Sequence, residues 1–324
     1  MFDVVALGEL LIDFTPYGTS ANGYPLFERN PGGAPANVLT TLAKLGADVA
    51  FIGKVGDDQF GKFLKNCLQK NRIDTSGLKT SPDVSTTLAF VHLTDDGDRS
   101  FSFYRNPGAD MMLMSEDVPV DIIKSSRIFH FGSISLTDEP SRSATLNALK
   151  LAKENQLIIS YDPNLRPPLW KSIKEAEGEI KRGLVYADVL KISWEELVFI
   201  TKEKDLDIGT KILEDLGISL IFVTLGAAGT YYRYQGKTGK LHTYDVKVVD
   251  TTGAGDAFLG GILYKLRGLS LEDLKTLTIA EVEDLVDFGN AVGALTTTKK
   301  GATPAVPSIE EVVYCIKNIS KIEP

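Results

Sequence analysis

Short apolar runs rich in β-branched residues alternate with longer amphipathic stretches along most of this chain. No other feature restricts the fold as much. The runs are Val4–Leu7, Val49–Ile52, Ile128–Phe131, Leu157–Tyr161, Val189–Ile192 and Leu220–Thr224. Between them, Asn37–Leu45, Gly61–Asn71, Ser141–Asn155 and Ile208–Leu216 carry apolar residues at helical spacing. Apolar strands separated by helices need cover on both faces. The expected fold class is therefore α/β: a three-layer α/β/α arrangement around a largely parallel central sheet. The 324 residues fit one such domain over 1–324, with no repeat or low-complexity linker to divide it.

Two segments break the rhythm. Residues 10–30 are alternating and turn-rich, and Thr86–Leu93 with Ser100–Tyr104 reads as a hairpin closed by Asp95-Asp96-Gly97-Asp98. Strands from about 10–30 and 86–105 are expected to form a small β lid outside the main sheet; the other reading is an antiparallel extension of that sheet. Beyond Asp250 the pattern turns helical, over Ala254–Leu266, Leu271–Leu277, Ala280–Thr297 and Ile309–Ile319.

Charge and composition exclude several classes. With 35 basic and 43 acidic side chains the net charge is −8, and no Lys/Arg cluster offers a surface to nucleic acid or to anionic membranes. Cys67 and Cys315 form no metal spacing or disulfide framework, and the first residues lack the pattern of a signal peptide. A soluble protein of the cytoplasm is the expectation. His92, His130 and His242 are dispersed and form no ligand set.

The chemistry concentrates at Val248-Val249-Asp250-Thr251-Thr252-Gly253-Ala254-Gly255-Asp256-Ala257-Phe258. A β run is expected to end at Asp250, and a helix to begin near Ala254. Gly253, Ala254 and Gly255 then lie at a helix N-terminus, where free N–H groups and the dipole attract anions. Asp256 falls in the first turn beside that anion site. It either takes a proton from an attacking hydroxyl or supports the helix end electrostatically.

Other motifs carry less alone. Thr224-Leu225-Gly226-Ala227-Ala228-Gly229 follows an apolar strand and reads equally as a nucleotide loop or a plain turn. Gly32-Gly33-Ala34-Pro35-Ala36-Asn37 opens a helix and can present polar groups to a polyol, or simply start the helix. Gly56 to Phe63 has the Gly and Lys spacing of a Walker A loop, but Phe63 replaces the hydroxyl residue and Asp57 and Asp58 repel phosphate. Gly253-Ala254-Gly255 lacks the third glycine of a dinucleotide fingerprint, since residue 258 is Phe.

Taken together and in order, these motifs resemble the ribokinase-like carbohydrate kinases of the PfkB family, from Val4 to about Pro307. Asp250 to Asp256 is similar to the family's C-terminal signature. Gly32-Gly33 with Asn37, and Gly53-x-Val55-Gly56-x-Asp58-x-x-Gly61, resemble its N-terminal one. The resemblance implies ATP- and Mg²⁺-dependent transfer to a primary alcohol, with Asp256 as base and the Gly253, Ala254 and Gly255 backbone as anion hole. It implies nucleotide contacts at Thr224, Gly226, Gly229, Ser193, Glu196 and Asn290, with Glu196 near Mg²⁺ through water; Ser193 stands where the family has Asn. Asp250, Thr252 and Gly301 match a loop that holds a monovalent cation such as K⁺. Asp13, Gly32, Gly33, Asn37, Phe103, Arg105 and Arg166 match sugar-facing positions, Arg166 being a substrate or phosphate contact. Phe103–Leu113 and Tyr161–Trp170 resemble fructokinase segments, while 2-keto-3-deoxygluconate kinases share similar arginine elements. A sugar- or nucleotide-binding regulator on the same scaffold is the reading from another class. The family's habit implies a homodimer formed through the lid.

Overall fold

The computed structural model describes residues 1–93 and 99–323; the turn Asp95 to Asp98 lies outside the described residues. The strands are β1 (Phe2–Leu7), β2 (Leu11–Thr19), β3 (Pro25–Gly32), β4 (Val49–Gly56), β5 (Asp74–Ser81), β6 (Leu88–Leu93), β7 (Arg99–Tyr104), β8 (Ser126–Gly132), β9 (Ile158–Asp162), β10 (Val189–Ser193), β11 (Leu220–Thr224), β12 (Thr230–Tyr234) and β13 (Lys237–Leu241). Nine of them form the central sheet, in the order β13-β12-β11-β10-β9-β8-β1-β4-β5. Its pairings from β11 through β5 are parallel, and β12 and β13 add an antiparallel hairpin at one edge.

Alternation along each strand sends side chains into two separate cores. Val4 and Ala6 pack on one face with Leu39, Leu42, Phe258 and Ile262, while Val5 and Leu7 pack on the other with Leu149, Ile180 and Leu197. Burial on both faces is why these strands read as continuous apolar runs. The expected helices appear with small shifts, at Ala34–Leu45, Gln59–Lys70, Ser141–Glu154, Leu206–Glu214, Ala254–Leu266, Leu271–Leu274, Ile279–Thr296 and Ile309–Asn318. Helices Ile173–Leu184 and Trp194–Thr201, and the β12–β13 hairpin, were not anticipated from the sequence.

The remaining strands form a second sheet, ordered β3-β2-β6-β7, which is the expected lid. Its outer pairs are antiparallel but β2 and β6 run parallel, so it is two hairpins laid side by side. The false Walker loop anchors this sheet. Asp58 caps Gln59–Lys70 by accepting the Gly61 N–H at 2.8 Å, and it also accepts the N–H and hydroxyl of Thr86 at the foot of β6.

One expectation is corrected. Val248–Asp250 is not a strand: the chain from 245 to 250 lies outside regular structure, with Val248 58% and Val249 50% exposed. The N–H groups of Val249 and Asp250 donate to the Thr297 carbonyl at the end of helix Ile279–Thr296. Carbonyls at a helix end lack intrahelical donors. The β-branched run pairs with one of them instead of with a sheet.

The chain leaves β1 through the lid to β4 on one side of it, and later returns to β8 on the other. Ligands of open α/β sheets bind where strand order reverses in this way, beyond the carboxyl ends of the strands.

Candidate active site

Helix Ala254–Leu266 starts from a loop locked by one carboxylate. Oδ1 of Asp250 accepts the N–H of Thr252 at 2.9 Å and its hydroxyl at 2.7 Å, while Oδ2 accepts the Gly301 N–H at 2.9 Å. The three residues expected at a cation site therefore share one crossing. Gly253 precedes the helix at φ +75°, where a side chain would be strained and would strike the Ala302 methyl. Ala254 donates to the Thr251 carbonyl at 3.2 Å, so its N–H is partly spent within the turn.

Asp256 follows in the first turn, and Nδ2 of Asn37 donates to its Oδ2 at 2.9 Å. The carboxyl is packed about by protein, though the residue keeps one side open. Burial pushes its pKa up to about 6, with Asp162 adding to the rise; Lys191, Asn37 and Arg166 pull it back. Asp13, at the start of the lid in β2, rises to about 6 for the same first reason; Arg166 lowers it and Asp256 raises it. The two carboxyls thus sense each other across one space, with the half-buried Arg166 beside both. Gly32 completes this wall, since any side chain there would overlap the Asp13 carboxylate.

Behind Asp256 lies a pair for which the sequence suggested no role. Lys191 in β10 bonds Asp162 at the end of β9, Nζ to Oδ2 at 2.9 Å, with side-chain exposures of 9% and 2%. Burial alone would lower the Lys191 pKa, but Asp162, Glu196 and Asp256 together hold it above the ordinary value. A lysine inside an otherwise apolar strand run was the available signal, because a charge at such a position needs a partner.

Ser193 and Glu196 form a capping box at helix Trp194–Thr201. Oε2 of Glu196 accepts the Ser193 N–H at 2.9 Å, and Oε1 accepts the Leu165 N–H at 2.7 Å. Burial and then Asp162 raise its pKa. Glu9 was also missed. Its Oε1 accepts the Ala34 N–H at 2.9 Å where the lid returns to the body, its Oε2 finds no partner among the described residues, and burial lifts its pKa to about 7.

Thr224, Gly226 and Gly229 lie at the carboxyl end of β11, in a tight turn closed by the Leu225 N–H on the Gly229 carbonyl at 2.8 Å. Asn290 is 4% exposed beneath it, accepting from the Thr230 hydroxyl at 2.7 Å and donating to Leu241 and His242 carbonyls. Its amide secures the floor of that turn. Phe103 is half-buried in β7, and Gly33 caps helix Ala34–Leu45. Arg105 is 8% exposed and bonded within the protein. Its Nε donates to Asp110 at 2.7 Å, Nη1 to the Thr137 hydroxyl at 2.9 Å and Nη2 to the Ile134 carbonyl at 3.2 Å.

A hollow of about 490 Å³ beside Asp48, Arg72 and Asp74 sits at the other, amino-terminal ends of β1 and β4, away from these groups. Among the described residues, no three His, Cys, Asp or Glu side chains cluster as a ready metal cage. No helix of the described residues is long and apolar enough to cross a membrane.

Residues 1–309 match the description pfkB family carbohydrate kinase. The chain belongs to that family. Among relatives of this kinase is the probable fructokinase-6, chloroplastic, of Arabidopsis thaliana, 48% identical over 95% of this chain and 81% of that protein. A fructokinase from Xylella fastidiosa with bound ATP superposes with a TM-score of 0.90 at 33% identity, covering 98% of this chain and 99% of that one. A fructokinase double mutant from Vibrio cholerae O395, in its fructose-, ADP- and potassium-ion-bound form, gives a TM-score of 0.86 at 36% identity, covering 97% and 98%.

In this carbohydrate kinase, residues expected from distant motifs meet at one place. Asp13, Gly32, Asn37, Arg166 and Asp256 share a wall, and Asp250, Thr252 and Gly301 brace the helix that carries Asp256. Arg105 and Asn290 are buried and bonded to neighbouring elements.

Proposed function

We propose that this kinase transfers the γ-phosphoryl group of ATP to the 6-hydroxyl of D-fructose. The observation that carries the chemistry is the Asp256 carboxylate, held by Asn37 at the N-terminus of helix Ala254–Leu266. Asp256 accepts the hydroxyl proton as the sugar oxygen bonds to phosphorus. The bond to the bridging oxygen breaks, and ADP leaves with its electron pair. N–H groups at Gly253 and Gly255 face the charge that gathers on the phosphoryl oxygens. Asp13 holds sugar hydroxyls, and Gly32 leaves room for its carboxylate. Closure of the lid excludes water, which would otherwise take the phosphoryl group.

Fructose is favoured over a keto-deoxy acid by the state of Arg105. Each nitrogen of its guanidinium already donates within the protein, and Asp110 neutralises its charge. Asp110 has therefore already met the charge that a substrate carboxylate would seek.

The site's charge fits added cations. Asp13, Asp162, Glu196 and Asp256 outnumber Lys191 and Arg166 beside them by two charges before any phosphate enters. Glu196 suits Mg²⁺ held through water, and oxygens around Asp250, Thr252 and Gly301 suit K⁺. The divalent ion would neutralise phosphate charge, and the monovalent ion would steady the helix N-terminus. We place the protein in the cytoplasm, where Cys67 and Cys315 remain thiols, and as a homodimer joined at the lid.

The test is ADP formation with Mg-ATP and K⁺, using fructose, 2-keto-3-deoxygluconate, ribose and adenosine separately. Turnover dominated by fructose is expected. Preference for the keto-deoxy acid would overturn the sugar and reassign Arg105 or Arg166 to its carboxylate.

A further inference from the structure

We propose that Lys191 is a further catalytic residue, its ammonium contacting the phosphoryl group as it passes over Gly255. The inference rests on the reading of this site as an ATP-dependent kinase, and three observations carry it.

Lys191 is the one charged residue of β10, and it sits inside the sheet between β9 and β11. Burying such a pair costs desolvation, and apolar residues of similar volume would serve stability as well. Stability alone therefore gives no reason for Lys191 and Asp162 to be there.

The ammonium also abuts the anion hole. A methyl group on Gly255 would lie 3.0 Å from Nζ, so Lys191 and the helix N-terminus border the same small volume. A positive helix end and an ammonium that border one volume both attract an anion to it. Asp162 takes one of the three ammonium donors at 2.9 Å, leaving others for an incoming phosphoryl oxygen.

Finally, its charge is secured. Asp162, Glu196 and Asp256 surround it, so it stays protonated throughout the reaction. As the bond from phosphorus to the bridging oxygen of ADP breaks and the bond to the sugar oxygen forms, the hydroxyl proton goes to Asp256. Lys191 keeps its own protons and donates hydrogen bonds to the phosphoryl oxygens.

The experiment compares binding of ADP and of β,γ-methylene-ATP, each with Mg²⁺, by calorimetry on wild type, Lys191→Met and Lys191→Arg, alongside kcat with fructose. Losing one charge-assisted contact predicts a roughly 10- to 100-fold weaker grip on the ATP analogue. ADP affinity should stay within about 3-fold, kcat should fall at least as far as analogue binding, and Arg should restore part of both. Parallel loss of both nucleotides would mean a collapsed pocket and overturn the proposal. So would an unchanged analogue-to-ADP ratio, whatever kcat does. Should Lys191→Met fail to fold because Asp162 is left unpaired, the double variant Lys191→Met with Asp162→Asn removes that charge and carries the same comparison. The titrations contain no sugar, so a wild type inactive on fructose would refute the proposed substrate and leave the result for Lys191 readable.

Discussion

Nδ2 of Asn37 donates to Oδ2 of Asp256 at 2.9 Å, across 219 residues of sequence, and joins helix Ala34–Leu45 to helix Ala254–Leu266. The bond aims the carboxylate and favours its charged form, partly offsetting burial. Asp256→Asn keeps the shape and removes the carboxylate proposed as the base. It should lower kcat by roughly 10³-fold, within the usual range for a positioned base, while ATP binds as well or better. Steady-state kinetics with nucleotide titration checks this, and wild-type-like turnover would remove the assignment.

The raised values of Asp256 and Asp13 set the pH response. In the proposed mechanism both act as carboxylates, so kcat/KM should fall as pH drops through about 6, more steeply than one proton requires because both groups must be ionised. Stability runs the opposite way. A carboxyl with a folded pKa above its unfolded one contributes stability at low pH that is lost as pH rises through the folded value. A carboxyl lifted from 3.8 to about 6 loses at most about 3 kcal/mol, nearer about 1–2 after screening at the open side. Asp256→Asn should therefore melt a few degrees higher than wild type at pH 8, with the gap closing by pH 4. Scanning calorimetry at both values decides it; equal melting at pH 8 would contradict the burial argument.

Gly32 tests the sugar wall without touching the base. A methyl group there would displace the Asp13 carboxylate. Gly32→Ala should raise KM for fructose by about 10-fold or more, the scale of one lost charge-assisted hydrogen bond, and leave nucleotide affinity alone. A parallel rise in KM for ATP would point to general damage.

The proposed cation loop predicts an ionic signature. Asp250 fixes both Thr252 and Gly301, so its charge shapes the loop even before an ion binds. Replacing K⁺ by tetramethylammonium should lower kcat several-fold in wild type. The Asp250→Asn variant should be slow in either salt, and wild-type rates indifferent to the salt would remove the site.

What the sequence disclosed follows from range. Gly253 to Asp256 was readable because small residues and an acid at a helix start form a local chemical pattern. The runs Val189–Ile192 and Leu220–Thr224 were readable because burial on both faces leaves an apolar record. Lys191 was not, since its meaning depends on Asp162, which is 29 residues away and becomes its partner only once β9 and β10 pair. The partners of Arg105 were not legible either, since Asp110, Thr137 and Ile134 meet it only in the fold. Val248–Asp250 had strand composition, yet it pairs with the Thr297 carbonyl.

The lid carries the last prediction. Phe90 stacks on Phe14 at 4.7 Å and meets Phe27 and Tyr104 edge-on at 5.6 Å each. Tyr104 is 66% exposed, and Tyr17 and Tyr24 in the β2–β3 hairpin are 67% and 71% exposed. Clustered exposed aromatics beside the open edges of β3 and β7 mark a surface suited to a second copy. Sedimentation should therefore give twice the chain mass of 35.3 kDa. Phe27→Asp, a charge placed in that cluster, should shift the protein toward 35.3 kDa and raise KM for fructose, because the lid loses its support. A wild type sedimenting at 35.3 kDa at micromolar concentration would rule out the dimer. A monomeric Phe27→Asp with unchanged KM would separate assembly from closure.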